Sequence, residues 1–321
     1  MAFSRGNLES LTNRHIVPKL ADATFKGNPL LYWVRENRQV KLSGGRNIIL
    51  PLIIKEGNFS WYDAGQVSTI DVLEPFNSAQ ANWQWCEVPG ALYETDIDKN
   101  GGDDGVINLL EATREWLQET LTENLSDMMH GTNSSNSLQS PGLQDLFAAS
   151  GTSYLNLLDT DLTSPASWLS NIVTPLVAGT LDEHEMRRLR GVATRGASRP
   201  NFGLCNFPLY NKIWKLVQTD QRFGMEKIAR IGFDHVMFED MPIMADEHAP
   251  GSGYGTADNW LEFLDMDHVS FYVHENKAFS VRVYDPVPQQ QAWIMKILLG
   301  CAFLTDNRRT HSVTKTYNPS I

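Results

Sequence analysis

A chain of 321 residues with 42% apolar side chains can bury a sizeable core, either as one body with extensions or as a pair of domains. Its formal net charge of −11 excludes a nucleic-acid binder that relies on a broad basic face, though not a protein that lies beside nucleic acid. Three widely spaced cysteines, Cys86, Cys205 and Cys301, form neither a disulfide framework nor a zinc spacing, and read as buried thiols of a reducing compartment.

The N-terminal residues lack the apolar core of a signal peptide. The longest apolar run, Ala292 to Leu304, contains Lys296 and Gly300 and is too short to span a bilayer. Leu11 to Phe25 reads as a weak helix ended by Gly27-Asn28-Pro29. Leu30 to Val34 is sticky enough to pack on a body or a neighbour, so the first 42 residues read as an arm.

Arg46 to Ile54 predicts a strand, with Pro51 placing it at an edge or bulge. Ala81 to Val88 predicts a second, with Trp83 and Trp85 on one face. The long span between them holds Gly57, Gly65 and Pro75 and has no helical period, which suggests an extended hairpin arm. Phe59, Trp61 and Tyr62 near its tip either offer a docking surface or fold back into a local core.

The stretch DIDKNGGDDG, Asp96 to Gly105, resembles half of a calcium loop, with Asp96, Asp98 and Asn100 as its candidate ligands. The pattern fails at the twelfth position, Ile107, where a bidentate Glu belongs, and at the eighth, Asp103. Asp103 and Asp104 instead stand where a helix wants a cap and negative charge. From Val106 to His130 no proline or glycine interrupts a helical period carried by Ile107, Leu110, Leu117, Leu121, Leu125 and Met128, broken only by Arg114. Glu111, Glu115, Gln118, Glu119, Thr122 and Glu123 line the opposite side, and Gly131 is a natural stop.

Asp182 to Arg190 predicts a helix with acids first and arginines last, the order that the macrodipole favours, and Glu183–Arg187 is an i,i+4 pair. Arg187, Arg188 and Arg190, with Arg195 and Arg199, make the most basic region; interleaved acids favour a solvated helix face or a subunit contact over nucleic-acid binding. Phe202 to Cys205 predicts a strand and Pro208 to Val217 a helix. Two short strands flank Glu239-Asp240. Val269, Phe271 and Val273 alternate, as do Phe279, Val281 and Val283, and the HENK between them predicts a hairpin. Ala292 to Leu304 predicts buried strands broken at Gly300.

No G-x-S-x-G, Walker loop, H-E-x-x-H or C-x-x-C is present, and nothing supplies a nucleophile with a base. Asp234 with His235, and Asp246, Glu247 and His248, are neighbours whose side chains point apart in turn-rich strands. The sequence therefore reads as no enzyme, with no cofactor and no metal.

The order of parts resembles the major capsid proteins of tailed bacteriophages: arm, long hairpin, one very long helix, then a mixed body with strong late strands. GGRNIILPLI is similar to the start of that family's extended hairpin loop, and VINLLEATREWLQETLTENLSDMMHG to its spine helix. SPGLQDLFAASGTSY, NFGLCNFPLYNKIW, ARIGFDHVMFEDMPIMAD, DNWLEFLDMDHVSFYV and AWIMKILLGCAFLTDNRR are similar to later segments, so the resemblance runs from about residue 28 to 315. It implies an α+β fold with an N-terminal arm (1–42), an extended hairpin loop (43–95), a peripheral domain (96–164 and 261–290) carrying a spine helix at 106–130, and an α/β axial domain (165–260 and 291–321).

The resemblance also implies a structural subunit of an icosahedral virus head, assembled in the host cytoplasm into hexamers and pentamers around packaged double-stranded DNA held without sequence specificity. Portal and decoration proteins are implied partners, and no membrane. Many relatives carry a large N-terminal scaffolding segment; here the arm follows soon after Met1, so a separate scaffolding protein is expected. Inter-subunit contacts are expected at Phe59, Trp61, Tyr62, Trp83, Trp85, Arg187, Arg188 and Arg190; Lys55 is a lesser candidate for a covalent weld. Two other readings stay open: an encapsulin-type shell, and a metal-dependent enzyme using Asp96, Asp98 and Asn100 or the histidines.

Overall fold

The computed structural model describes residues 28–53, 59–65, 76–95, 103–159, 168–217, 235–284 and 292–320. In chain order its helices are α1 (Pro29–Arg38), α2 (Asp103–His130), α3 (Leu143–Leu146), α4 (Glu183–Ala193) and α5 (Phe207–Val217). Its strands are β1 (Gln39–Leu42), β2 (Asn47–Ile53), β3 (Phe76–Asn82), β4 (Gln84–Tyr93), β5 (Asn171–Ile172), β6 (Phe202–Cys205), β7 (His235–Phe238), β8 (Met241–Ala245), β9 (Asn259–Leu264), β10 (Val269–His274), β11 (Ser280–Tyr284), β12 (Ala292–Thr305) and β13 (Ser312–Tyr317). The weak helix expected at Leu11 to Phe25 lies outside the described residues.

Two compact units share these elements. One comprises the described parts of 28–45, 83–142 and 270–303. Its sheet runs β1-β10-β12-β11, with β4 also paired to β12. Inward-facing Phe271, Val273, Met295, Ile297 and Leu299 alternate with partly exposed neighbours, the period expected of strands with one covered face. Helix α2, about 42 Å long at 1.5 Å per residue, buries Leu117, Leu121, Leu125 and Met128 as the helical period predicts. A Cβ at Gly90 of β4 would come within 3.2 Å of the Leu117 methyls, so the missing side chain lets that strand approach the helix.

Several expectations are corrected here. Gly27-Asn28-Pro29 does not end a helix. The Asn28 side chain accepts the N–H groups of Leu30 (2.9 Å) and Leu31 (3.1 Å), Pro29 occupies the first turn, and the triplet starts α1. Gln118 is buried rather than solvent-facing, and Thr122 is half-buried, so the apolar stripe of α2 is wider than its aliphatic residues indicate. β10 and β11 do not form a hairpin: each pairs with β12. The intervening Glu275–Lys277 is a 3-10 turn rather than a reversal. Nor does Gly300 break β12, which is continuous for 14 residues.

The other unit comprises the described parts of 46–82, 143–269 and 304–320. It carries a mixed six-stranded sheet in the order β5-β13-β9-β6-β8-β7. β6 matches its expected bounds, and β7 and β8 flank Glu239-Asp240 as expected. Met186 and Leu189 of α4 and Leu209 and Ile213 of α5 pack with Cys205, Ile243, Leu261 and Phe263 of the sheet in one core cluster. The hairpin β2–β3 belongs to this unit and pairs from Asn47↔Asn82 to Ile53↔Phe76. The strand expected at Ala81 to Val88 is thus two: β3 ends at Asn82 on β2, whereas β4 begins at Gln84 and pairs with β12. Trp83 stands at the change of partner and belongs with Trp85 to the first unit.

His311 is fully buried in this second unit. Its Nδ1 accepts the N–H of Asp265 at 3.1 Å, and its Nε2 lies 3.0 Å from Thr305 Oγ1. Burial, helped by the charges of His268 and Arg308, pushes its pKa down to about 3. Between that value and the ordinary 6.5 the unfolded chain binds a proton that the folded chain refuses. This contribution is therefore present above pH 6.5 and is lost as pH falls, at about 1.4 kcal/mol per pH unit. His268 acts in the opposite sense: its hydrogen bond to Asp306 (2.7 Å) raises its pKa, so its contribution fades as pH rises. Urea midpoints measured from pH 6.5 to 4 are expected to fall more steeply for the parent chain than for His311→Gln. Parallel slopes would refute the assignment.

Candidate inter-subunit contact surface

A two-stranded ribbon is marginally stable alone and must be held at its base. Here the base is tied by the Gln80 N–H, which donates to Leu155 O at 2.9 Å, and by Asn156 Nδ2, which donates to Gln80 O at 3.3 Å. One face covers Ile48, Ala79 and Ala81, while Ile49, Ile53 and Phe76 face solvent. Beyond the ribbon, Phe59, Trp61 and Tyr62 are 78%, 87% and 79% exposed. The Phe59 and Trp61 rings meet edge to face at 5.2 Å, so they support each other and little else. They have not folded into a local core.

Trp83 and Trp85 are arranged differently. Trp83 is buried and Trp85 half exposed; their rings lie 6.3 Å apart, and His274 packs on both, at 5.3 and 5.2 Å. Lys277 Nζ sits 4.9 Å above the Trp85 ring. A Cβ at Gly300 would fall 2.3 Å from a Trp85 ring carbon, so Gly300 is the seat of that indole. Trp85 is a held, half-open platform.

In α4, Asp182 caps the first turn by accepting the Glu185 N–H at 2.7 Å. Arg187 pairs with Glu183 at 2.6 Å, the expected i,i+4 contact, and reaches Glu239 at 3.5 Å. Arg188 holds Glu185 through two contacts, at 3.0 and 2.8 Å, and donates to Thr174 O. Arg190 is buried and bonds Glu239 and Asp240 of the β7–β8 turn, where Glu239 adopts φ 56°; Arg199 adds a contact to Asp240 at 2.6 Å. Burial pushes the Asp240 carboxyl up, but the Arg190 hydrogen bond and the charges of Arg190 and Arg199 bring it below its ordinary value. Arg188 and Arg190 thus spend their guanidinium groups inside the chain, while Arg187 keeps most of its surface in water. Exposed pairs of this kind contribute about 0–1 kcal/mol each.

Asp96, Asp98, Asn100, Lys55 and Asp234 lie outside the described residues. His235 opens β7. Asp246 accepts the His248 N–H at 3.0 Å, which closes a turn. Among the described residues no three His, Cys, Asp or Glu side chains converge as metal ligands would, and no helix is long and apolar enough to cross a membrane. Sequence reading missed the exposed apolar pair Leu176-Val177; a Pro before it and a Gly after it mark a loop, the available signal.

No family model matches the sequence, and no curated protein matches it. Solved structures do. The capsid of cyanophage A-1(L) superposes at a TM-score of 0.64, with 12% identity, over 90% of this chain and 92% of its own. A chain of Mycobacterium phage Bobi matches at 0.59, with 14% identity, over 98% and 99%. A chain of the holo-SrpI encapsulin complex from Synechococcus elongatus matches at 0.54, with 13% identity, over 100% and 98%.

The chain has the tailed-phage capsid fold.

β2–β3 falls within the 43–95 expected of an extended hairpin, and α2 covers the 106–130 expected of a spine helix. The matches extend over most of each chain rather than over a shared subdomain.

Proposed function

We propose that the chain is the major shell subunit of a tailed-phage head. It forms hexamers and pentamers around double-stranded DNA, with assembly in the host cytoplasm. The observation that carries this reading is the hairpin tip: three aromatic side chains stand in water on a ribbon anchored at one end. Cover for them from an adjoining copy accounts for their chemistry and their position. The capsid fold supports the same reading, as does the net charge of −11, which suits a wall that encloses DNA without gripping it. In this picture residues 43–95 lie across a neighbour, 96–164 and 261–290 form the peripheral domain, and 165–260 with 291–321 form the axial domain. A separate scaffolding protein, a portal and decoration proteins complete the particle, and the subunit performs no catalysis.

A second reading, an encapsulin-type shell around a protein cargo, draws on the SrpI encapsulin complex among the similar structures. Particle contents decide between them: nuclease-protected DNA supports the phage head, and an enclosed protein supports the compartment.

The tip is tested by Phe59→Ser, Trp61→Ser and Tyr62→Ser combined. Buried aromatic anchors at interfaces contribute about 2 kcal/mol or more each. The triple variant is expected to keep the parent's circular dichroism, because these residues hold up nothing in their own subunit. Under electron microscopy it is expected to give no closed particles where the parent chain, with its scaffolding protein, gives polyhedral shells. Shells at the parent yield would overturn the role of the tip.

A further inference from the structure

Cys86 and Cys301 are far apart in sequence but meet in the sheet. The antiparallel register of β4 and β12 pairs Cys86 with Leu299 and Gln84 with Cys301. Residues two apart on a strand share a face, so both thiols lie on one face of the ladder at diagonal positions. A side-chain hydrogen bond links Cys86 and Cys301. Cys301 is 2% exposed, while Cys86 is partly open to solvent.

We propose that Cys86 and Cys301 are a reversible disulfide site, closed by a hydroperoxide and opened by a thiol reductant, that welds β4 to β12 within the subunit. The reaction balances in two steps. The Cys86 thiolate attacks one peroxide oxygen, the O–O bond breaks, and the leaving hydroxide takes up the proton that Cys86 lost, giving water and a sulfenic acid. The Cys301 sulfur then attacks the Cys86 sulfur, the S–O bond breaks, and hydroxide leaves with the Cys301 proton as a second water. Two thiols are oxidised and one peroxide is reduced.

Three features divide the roles. Cys86 is the accessible sulfur, and the Cys301 hydrogen bond lowers its pKa, which favours the attacking thiolate. Cys301 is out of reach of solvent oxidant but in contact with the sulfenic acid, the position of a resolving thiol. Cys205 is fully buried, and desolvation beside Glu262 and Asp246 pushes its pKa up, so it serves as an internal control. In an ideal ladder diagonal Cα atoms stand about 7–8 Å apart, slightly beyond the usual reach of a disulfide. Closing the bridge must draw the strands together, and a bridge under such strain is easily reduced.

The test is made on the full-length chain, purified under reductant and exposed to excess hydrogen peroxide. Thiols titrated in denaturant are expected to fall from three to one per chain, with dithiothreitol restoring three. A non-reduced digest is expected to contain one peptide joining the Cys86 and Cys301 segments. Three persisting thiols, a Cys86 sulfinic acid without that peptide, or a bridge between two chains would each overturn the proposal. In Cys301→Ala, dimedone is expected to trap the Cys86 sulfenic acid at least tenfold more than in the parent. Equal trapping would show that Cys301 does not resolve it.

Discussion

Replacing Arg308 with leucine is expected to lower the unfolding free energy by about 3–5 kcal/mol, among the largest losses that a single side chain here can cause. Its side chain is 1% exposed, yet its hydrogen-bond partners among the described residues are backbone carbonyls rather than carboxylates. It donates to Leu146 O at 3.1 and 2.6 Å and to Trp168 O at 2.8 Å, with a longer contact to Asp145 O at 3.4 Å, and it lies 4.9 Å over the Tyr154 ring. It therefore caps the last carbonyls of the short helix α3. Desolvation opposes a buried guanidinium and lowers its pKa, so one can ask whether an apolar isostere improves matters. It does not, because leucine leaves these carbonyls buried without a donor, at about 1–3 kcal/mol for each orphaned group. Arg308→Lys keeps one donor and is expected to fall between. Urea denaturation of the three chains checks the order, and a loss below 1 kcal/mol for the leucine variant would contradict it.

Gly142→Ala is expected to cost about 3 kcal/mol. The added Cβ would lie 2.4 Å from Met128 O, 2.5 Å from Gly131 O and 3.0 Å from Met129 O. These are backbone atoms at the end of α2, so no side-chain rotation relieves the clash. Gly191, within α4, supplies the contrast: nothing stands within 4 Å of its Cβ position, and Gly191→Ala is expected to gain about 0.5–1 kcal/mol from helix propensity alone. Thermal melts of the two variants should move in opposite directions. A shared direction would mean that close approach is not what Gly142 provides.

Features carried by local chemistry were legible in the sequence. A 3.6-residue period marked the buried face of α2, and charge order with a capping Asp marked α4. Alternation marked β10 and β11 as strands, but it reports which face is covered and not which strand lies alongside, so their common partner β12 stayed hidden. Trp83 and Trp85 share a face with nothing in the local pattern to show that pairing changes at Asn82. Gly300 was misread because a glycine that breaks a strand and a glycine that seats an indole look alike in one dimension. Gln118 was misplaced because polarity argues for solvent, whereas its position beside Leu117 and Leu121 decides its burial. The aromatic tip was visible as a candidate because bulky apolar residues stood in a Gly-rich span with no strand partner. Arg308, His311 and the Cys86–Cys301 contact join residues remote along the chain, and no short-range pattern encodes them.

The β2–β3 ribbon carries a further liability. With no third strand beside it among the described residues, each of its strands presents a border of amides to its outer side, an invitation to fibre-like stacking whenever free protein accumulates. Two details blunt that invitation: Pro51 deletes a donor midway along one border, and the Gln80 contacts with Leu155 and Asn156 occupy the other. Overproduction of a Pro51→Val chain should therefore trade soluble material for β-rich precipitate.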